Sequence, residues 1–257
     1  MTNTLAIGMQ KGGVGKTTVA VNLTDGLADR GHETLLIDID PQGYATKSLG
    51  LEEAYLADEL NVADVLLDVK SFDRIDEIVV GRDRFDVLPS HIDAFQLERE
   101  LWFESRTQER LSMALERLDH SYDFVVIDTP PNLGPLTDNG ILAAQDVLFP
   151  GQSRTSSIDA LKMLFDQIET LELEYDVPVG MVGAVINQTR NDGMSDQMRE
   201  WYVEQFGSEN VFEIPFRVAL QYAWEAEQTI YEYDERDVSD VRDVFDRLVT
   251  HIENYYE

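Results

Sequence analysis

The chain contains no cysteine, which excludes disulfides and thiolate metal sites. Lysine is nearly absent, with five among 257 residues. Positive charge is scarce altogether: 20 Lys and Arg stand against 50 Asp and Glu, a net charge of −30. No stretch approaches the ~18 consecutive apolar residues of a membrane span. Met1 to Ala6 offer neither a basic n-region nor an apolar h-region, so no secretory signal is expected. These absences together point to a cytoplasmic protein.

What remains is enough for a full core, since 43% of the residues are apolar. That content and a regular periodicity argue against disorder as the reason for the acid excess. An acidic partner-binding surface is a second reading, but the acids run along the whole chain. Adaptation to a very salty cytoplasm is favoured, because self-repulsion is screened within ~3 Å at 1 M salt. The lysines support it: two of the five, Lys11 and Lys16, stand in one six-residue stretch of a chain that has shed lysine nearly everywhere else.

Apolar runs and helical stripes alternate. Leu5 to Gly8 reads as a strand, Thr17 to Arg30 as a helix, and Thr34 to Ile37 and Phe85 to Leu88 as strands. Phe124 to Ile127 reads as a strand buried on both faces, and Val147 to Phe149 as one stopped by Pro150. Leu161, Leu164, Phe165, Ile168 and Leu171 form a helical stripe, Val179 to Ile186 and Val211 to Ile214 close the strand set, and Val241 to Ile252 lie on a final helix. Residues 50 to 80 are the least clear. The alternation predicts a single α/β domain over residues 1–257, a mostly parallel twisted sheet of about seven strands with helices on both sides.

The stretch Lys11 to Thr18 reads KGGVGKTT, between a strand and a helix, as a P-loop requires. Gly12, Gly13 and Gly15 let the backbone close on phosphate and turn its N–H groups inward. The helix start aims its positive end at the same point. Lys16 can reach the β- and γ-phosphates of ATP, and the Thr17 hydroxyl can hold Mg²⁺, with Val14 and Thr18 completing the loop. Asp38-Ile39-Asp40-Pro41-Gln42-Gly43 ends the second strand, where open α/β sheets bind ligands. Asp128 ends the buried strand from Phe124, a Walker B arrangement.

The first glycine of the usual motif is replaced by Gln10, with a lysine at 11. This is the deviant Walker A signature, and here the chain resembles the ParA/MinD superfamily of P-loop ATPases. Asp38 to Gly43, Ala45-Thr46, Leu49-Gly50-Leu51, Phe85 to Asp93, Asp128-Thr129-Pro130-Pro131-Asn132-Leu133-Gly134 and Val147 to Gln152 follow the short ParA/Soj pattern. The resemblance runs from about Asn3 to Tyr233. It implies a homodimer formed with ATP, in which Lys11 reaches the partner's nucleotide. It makes Asp40 the residue that positions the attacking water, and Asp38 a support of the Mg²⁺ shell beside Thr17 and Asp128. Asn187 and Pro215 would contact the base; an asparagine after a strand is also a common turn residue. The implied function is partition of plasmid or chromosomal DNA in the cytoplasm, in association with the nucleoid, with a ParB-like or other partner that stimulates hydrolysis.

Non-specific DNA binding finds little support, because phosphate contacts need Lys or Arg and weaken with salt. Arg190 and Arg217 are candidates, while Ala219 stands where a DNA-contacting arginine is common in the family. The spacing also predicts one helix from Gln96 to Leu118 with Arg99, Arg106, Arg110 and Arg117 within about 40° of one another on its solvent face; balanced by five glutamates, that stripe reads as a solvated face rather than a DNA surface. Arg154 stands where the family commonly has an acid. The chain lacks the N-terminal helix-turn-helix region of longer partition ATPases, and iron–sulfur relatives are excluded by the missing cysteines. A MinD-like ATPase acting on a membrane or protein assembly stays open, although the acidic last helix suits lipid poorly. So does a metabolic P-loop enzyme of the dethiobiotin-synthetase kind.

Overall fold

The structure is a computed structural model that describes residues 2–103, 107–154, 156–190 and 193–257. The chain runs β1 (Asn3–Ile7), α1 (Lys16–Asp29), β2 (Thr34–Asp38), α2 (Tyr44–Ser48), α3 (Glu52–Leu56), α4 (Val62–Leu67), β3 (Val80–Gly81), β4 (Asp86–Leu88), α5 (Ala94–Leu101), α6 (Arg110–Leu115) and β5 (Phe124–Asp128). It continues through α7 (Pro135–Ala144), β6 (Asp146–Gln152), α8 (Ser156–Tyr175), β7 (Gly180–Thr189), α9 (Gly193–Phe206), β8 (Val211–Pro215), α10 (Val218–Glu225) and α11 (Ser239–Tyr256). The strands form one sheet in the order β3-β4-β2-β5-β1-β6-β7-β8. Seven are parallel, as the alternation of elements predicts, and the two-residue β3 adds an antiparallel edge.

Successive strand residues feed opposite cores, the expected consequence of a two-residue period. Ala6, Leu35, Ile37, Val125 and Ile127 face a core closed by α4, α5, α7, α8 and α9. Leu5, Ile7, Leu36, Phe124 and Val126 face a second, closed by α1, α10 and α11. The carboxyl ends of β1, β2 and β5 lie in register, with Ile7 and Asp38 both opposite Asp128. Sheet pairing therefore fixes where the loop after β1 and the acids of β2 and β5 meet.

Three expectations are corrected. Pro150 does not stop β6, which continues to Gln152 beside β7. Gly8 donates to Leu148 O at 3.1 Å, so Leu148 faces β1. Pro150, two residues on, faces the same way, where β1 has already left the sheet, and its missing N–H costs no ladder bond. Residues 69–78 form a long 3-10 run whose buried Phe72, Ile75 and Ile78 recur every three residues, a period that neither a strand nor an α-helix shows.

The single helix from Gln96 to Leu118 is broken into α5 and α6. The Thr107 hydroxyl donates to Leu101 O at 3.1 Å, and Asn139 of α7 donates to Thr107 O and accepts from Leu111 N, each at 2.9 Å. The arginine stripe is lost with it. Arg110 is buried, and its guanidinium donates to Leu66 O and Leu67 O at 2.9 and 3.0 Å. Arg117 pairs with Asp73, Arg99 is exposed on α5, and Arg106 lies outside the described residues.

Asp138, in the first turn of α7, is buried and accepts a hydrogen bond from Gln167 of α8 at 2.8 Å. Burial first, then the Glu174 charge, pushes its pKa up to about 6 from 3.8, against the Gln167 bond. The folded chain thus keeps this proton to higher pH than the unfolded chain, and stability falls as pH rises between these two values. Above that window the ionised group costs up to ~3 kcal/mol. Asp138→Asn is expected to raise the Tm at about pH 7.5 by roughly 5 °C and to give little gain near pH 4. Thermal unfolding of both proteins across that range checks it.

Candidate nucleotide site

The loop after β1 is shaped by its glycines. Gly13 and Gly15 have φ of +72° and +91°, values in the left-handed region that favour glycine. A Cβ on Gly12 or Gly13 would meet nothing within 4 Å, so a cradle lies open above them. Gly15 caps α1 without a side-chain hydrogen bond, and the first turn of α1 carries no acid. Its N–H groups and positive end are left for an anion.

Two side chains brace the loop from β6 and β7. Gln152 Nε2 donates to Gly13 O and Asn187 Nδ2 to Val14 O, both at 2.7 Å. The Asn187 amide nitrogen thus holds the loop. Asn187 also lines a cleft of about 250 Å³ with Gly15, Thr18, Pro215, Gln221 and Trp224. Asn187 and Pro215 therefore meet at the same cleft, beside the loop that would hold the phosphates. Gln221 and Trp224 escaped the reading of the sequence, because nothing in the spacing of α10 marks one face as facing a ligand.

On the other side of the loop, Lys16 is buried among acids. Burial pushes its pKa down, and Asp128 and Asp40 oppose the shift. Asp128 is fully buried. Among the described residues neither of its oxygens has a well-formed hydrogen bond, although the Thr17 hydroxyl lies close enough to favour its charge. Burial, then Asp38, raise its pKa well above the usual carboxylate range. Asp38 is also fully buried, accepting from Thr46 N at 2.9 Å, Thr46 Oγ1 at 2.7 Å and Asp40 N at 3.1 Å. Burial pushes its pKa up to about 7 despite those bonds, with Asp40 adding to the rise. Asp40 accepts from Gln42 N at 2.9 Å, and burial again raises its pKa, with Lys16 opposing.

One buried lysine thus faces three acids, and one of these is an orphaned carboxylate beside a threonine hydroxyl. This donor set fits a hard divalent cation, whose charge would favour ionised carboxylates. Among the described residues no three acids or histidines converge to cage a metal alone. That suits Mg²⁺, which takes one or two protein oxygens and completes its shell with phosphate and water.

Lys11 stands apart from Lys16, half-buried at the mouth of the loop, with Nζ 3.5 Å from Ser157 Oγ at the start of α8. Burial lowers its pKa, and the nearby Arg154 charge lowers it further. Arg154 belongs to the turn joining Gln152 to Ser157, with its N–H on Gln152 O at 2.7 Å. The unexpected arginine is therefore a second cation beside Lys11.

The DNA candidates are dispersed. Arg190 lies over the Phe216 ring at 5.0 Å, next to Arg217. Arg217 is already paired with Asp240, and Arg99 sits on α5. Among the described residues only Arg190 and Arg217, both at Phe216, are brought to one neighbourhood. Among the described residues no helix is long and apolar enough to cross a membrane.

Residues 2–179 match a family model described as an AAA domain. The chain is 35% identical over 236 residues to the sporulation initiation inhibitor protein Soj of Bacillus subtilis, covering 90% of this chain and 91% of Soj. It is 34% identical over 236 residues to the chromosome partitioning protein ParA of Caulobacter vibrioides, covering 90% and 86%. The structure of a cobyrinic acid a,c-diamide synthase from Mycobacterium smegmatis with bound ATP analogue and magnesium superimposes with a TM-score of 0.80 at 26% identity, covering 100% of this chain and 96% of the other. A glycine cradle braced by Gln152 and Asn187, an acid at the end of β5 and a likeness to Soj and to a chromosome partitioning ParA across 90% of this chain lead to one conclusion: the chain belongs to the ParA/Soj family of P-loop ATPases.

Proposed function

We propose that this ATPase partitions plasmid or chromosomal DNA, dimerising when it binds ATP and coming apart when it hydrolyses it. The observation that carries the reading is the second lysine. Lys16 is committed to its own site, whereas Lys11 stands at the mouth, tied to α8 and beside another cation. A nucleotide held by a second copy of the chain offers the anion that such a pair favours. The likeness to Soj and to a chromosome partitioning ParA supports the same reading.

In this scheme the N–H groups of Gly12 to Thr18 and the Lys16 ammonium bind the phosphates of ATP. Thr17 and Asp128 would hold Mg²⁺, with Asp38 behind them fixing Asp40 and Thr46. The ion would draw charge from the phosphate oxygens as the terminal phosphoryl group leaves. The Asp40 carboxylate accepts a hydrogen bond from water and aims its lone pair at that group. Lys11 of the second copy closes over the phosphates and stabilises their charge. Asn187 and Pro215 flank the base. A ParB-like partner stimulates hydrolysis, and Arg190 and Arg217, which share one neighbourhood beside Phe216, are the cations for a DNA surface.

Asp40→Ala is expected to retain ATP and accumulate as a dimer, because closure needs the nucleotide whereas opening needs hydrolysis. Light scattering in about 1 M KCl with ATP and Mg²⁺ should show twice the monomer mass, and ADP the monomer. A monomer in both would remove the switched dimer. The trapped dimer is then offered non-specific duplex DNA and anionic liposomes. ATP-dependent DNA binding supports partition; liposome binding alone moves the chain to the MinD-like class; binding to neither removes the DNA role.

A further inference from the structure

Three consecutive carbonyls, those of Asp40, Pro41 and Gln42, are each held by a different side chain. Ser90 Oγ donates to Asp40 O at 2.7 Å, the Tyr55 hydroxyl to Pro41 O at 2.8 Å, and the Lys47 ammonium to Gln42 O at 2.7 Å. The three side chains come from separate places: Ser90 follows β4, Tyr55 is on α3 and Lys47 on α2. The Lys47 ammonium also sits 3.7 Å from the centroid of the Tyr55 ring, a close cation–π contact. The same ring presses on Gly43, where a Cβ would lie 2.5 Å from it. Tyr55 is itself fixed, being only 4% exposed and accepting the Ile92 N–H on its carbonyl at 3.1 Å.

Such fastening exceeds what a turn needs. The segment already closes itself, with Gln42 N on the Asp40 carboxylate at 2.9 Å and Gly43 N on Asp40 O at 2.8 Å. A charged donor on a carbonyl is stronger than a neutral one. It is also one of only five lysines in the chain, two of which serve the phosphate loop. The clamp ends two residues from Asp40, on the Gln42 carbonyl.

We propose that Lys47, seated on Tyr55, is a positioning residue for ATP hydrolysis: together they hold Asp40 to Gln42 so that the Asp40 carboxylate stays aimed at the attacking water. The inference rests on the role given to Asp40 above. Lys47 touches neither nucleotide nor water in this scheme and acts through the segment it holds.

The test measures kcat, ATP affinity, ATP-dependent dimerisation and Tm for each variant of the full chain. Lys47→Met is expected to lower kcat by about 10- to 100-fold, the scale of a misplaced catalytic group, with ATP affinity and dimerisation unchanged. Lys47→Arg keeps a charged donor that can stack on the ring, and should recover most of the rate. Tyr55→Phe keeps the ring but loses the phenol, so its loss should be smaller than that of Lys47→Met. In an Asp40→Ala background Lys47→Met should lower the residual rate no further, because the group it aims has gone.

A wild-type kcat in Lys47→Met overturns the inference. So does a loss that falls equally on ATP affinity and Tm, or one that repeats in full on top of Asp40→Ala. Asp40→Ala measured alone separates the two layers. Full hydrolysis there sinks the role of Asp40, and the clamp's purpose with it. An inactive Asp40→Ala beside a fully active Lys47→Met sinks the clamp alone.

Discussion

Alanine at Lys11 is expected to leave ATP affinity within about threefold of wild type and to cut hydrolysis by about a thousandfold, the lower end of what a trans-acting cation contributes to phosphoryl transfer. The asymmetry follows from where the two lysines lie. Lys16 is 7% exposed, on the first turn of α1 between Asp40 and Asp128, so it serves the nucleotide bound to its own chain. Lys11 is at the mouth, its ammonium 3.5 Å from the Ser157 hydroxyl, and burial and then the Arg154 charge disfavour its charged form. An anion arriving from outside relieves that disfavour. Mixing decides whether the lysine works across two copies. Lys11→Ala and Asp40→Ala are each inactive, but a mixed dimer contains one complete site if Lys11 comes from the partner: the Lys11→Ala chain keeps its own Asp40 and borrows the lysine. Phosphate release after mixing equal amounts of the monomers and then adding ATP should recover up to roughly a quarter of the wild-type rate, since about half of the dimers are mixed and each has one complete site. No recovery overturns the trans assignment. Full hydrolysis by Lys11→Ala alone would move the chain towards metabolic enzymes on the same scaffold, a reading that the diamide synthase likeness keeps in view.

The parallel sheet and the phosphate loop were legible for the same reason: their residues obey local rules. Phe124 to Ile127 is apolar throughout because β5 is buried on both faces, and Asp128, which follows, is an acid where the strand ends at the site. Glycines 12, 13 and 15 mark a loop whose backbone must turn and approach a ligand. What was not legible depends on partners remote in sequence. The stretch before β3 hid because its apolar residues recur every three positions. The expected long helix failed because Asn139, on another element, captures the Thr107 carbonyl and the Leu111 N–H. Arg110 read as solvated by helical spacing, yet it turns inward to the carbonyls of Leu66 and Leu67. Of the clamp on Asp40, Tyr55 comes from the region that periodicity left unclear and reaches back 14 residues, while Ser90 reaches 50. Gln152 was noticed only as part of a family pattern, and its bond to Gly13 O gives that pattern a physical reason.

Gly15→Ala should lower ATP affinity by about 100-fold, close to 3 kcal/mol, while the fold survives. Two costs act at one atom. At φ +91° a side chain is strained, by roughly 1–2 kcal/mol. The new methyl would also lie 2.6 Å from Asn187 Nδ2 and 2.9 Å from its Cγ. Asn187 cannot simply yield, because that nitrogen holds Val14 O at 2.7 Å and its side chain is buried. Either the loop moves off Asn187 or Asn187 leaves the loop, and both spoil the aim of the N–H groups at the start of α1. Neither apolar core includes this contact, so the strand pairing is spared. Titration with a fluorescent ATP analogue, beside circular dichroism, measures both sides of the claim. Adding Asn187→Ala removes the collision but leaves the strained backbone and loses the brace, so it should recover only part of the affinity. Near-wild-type affinity in Gly15→Ala would show that the loop does not depend on this brace to face a phosphate. Full recovery in the double variant would assign the whole effect to the collision and none to the left-handed backbone.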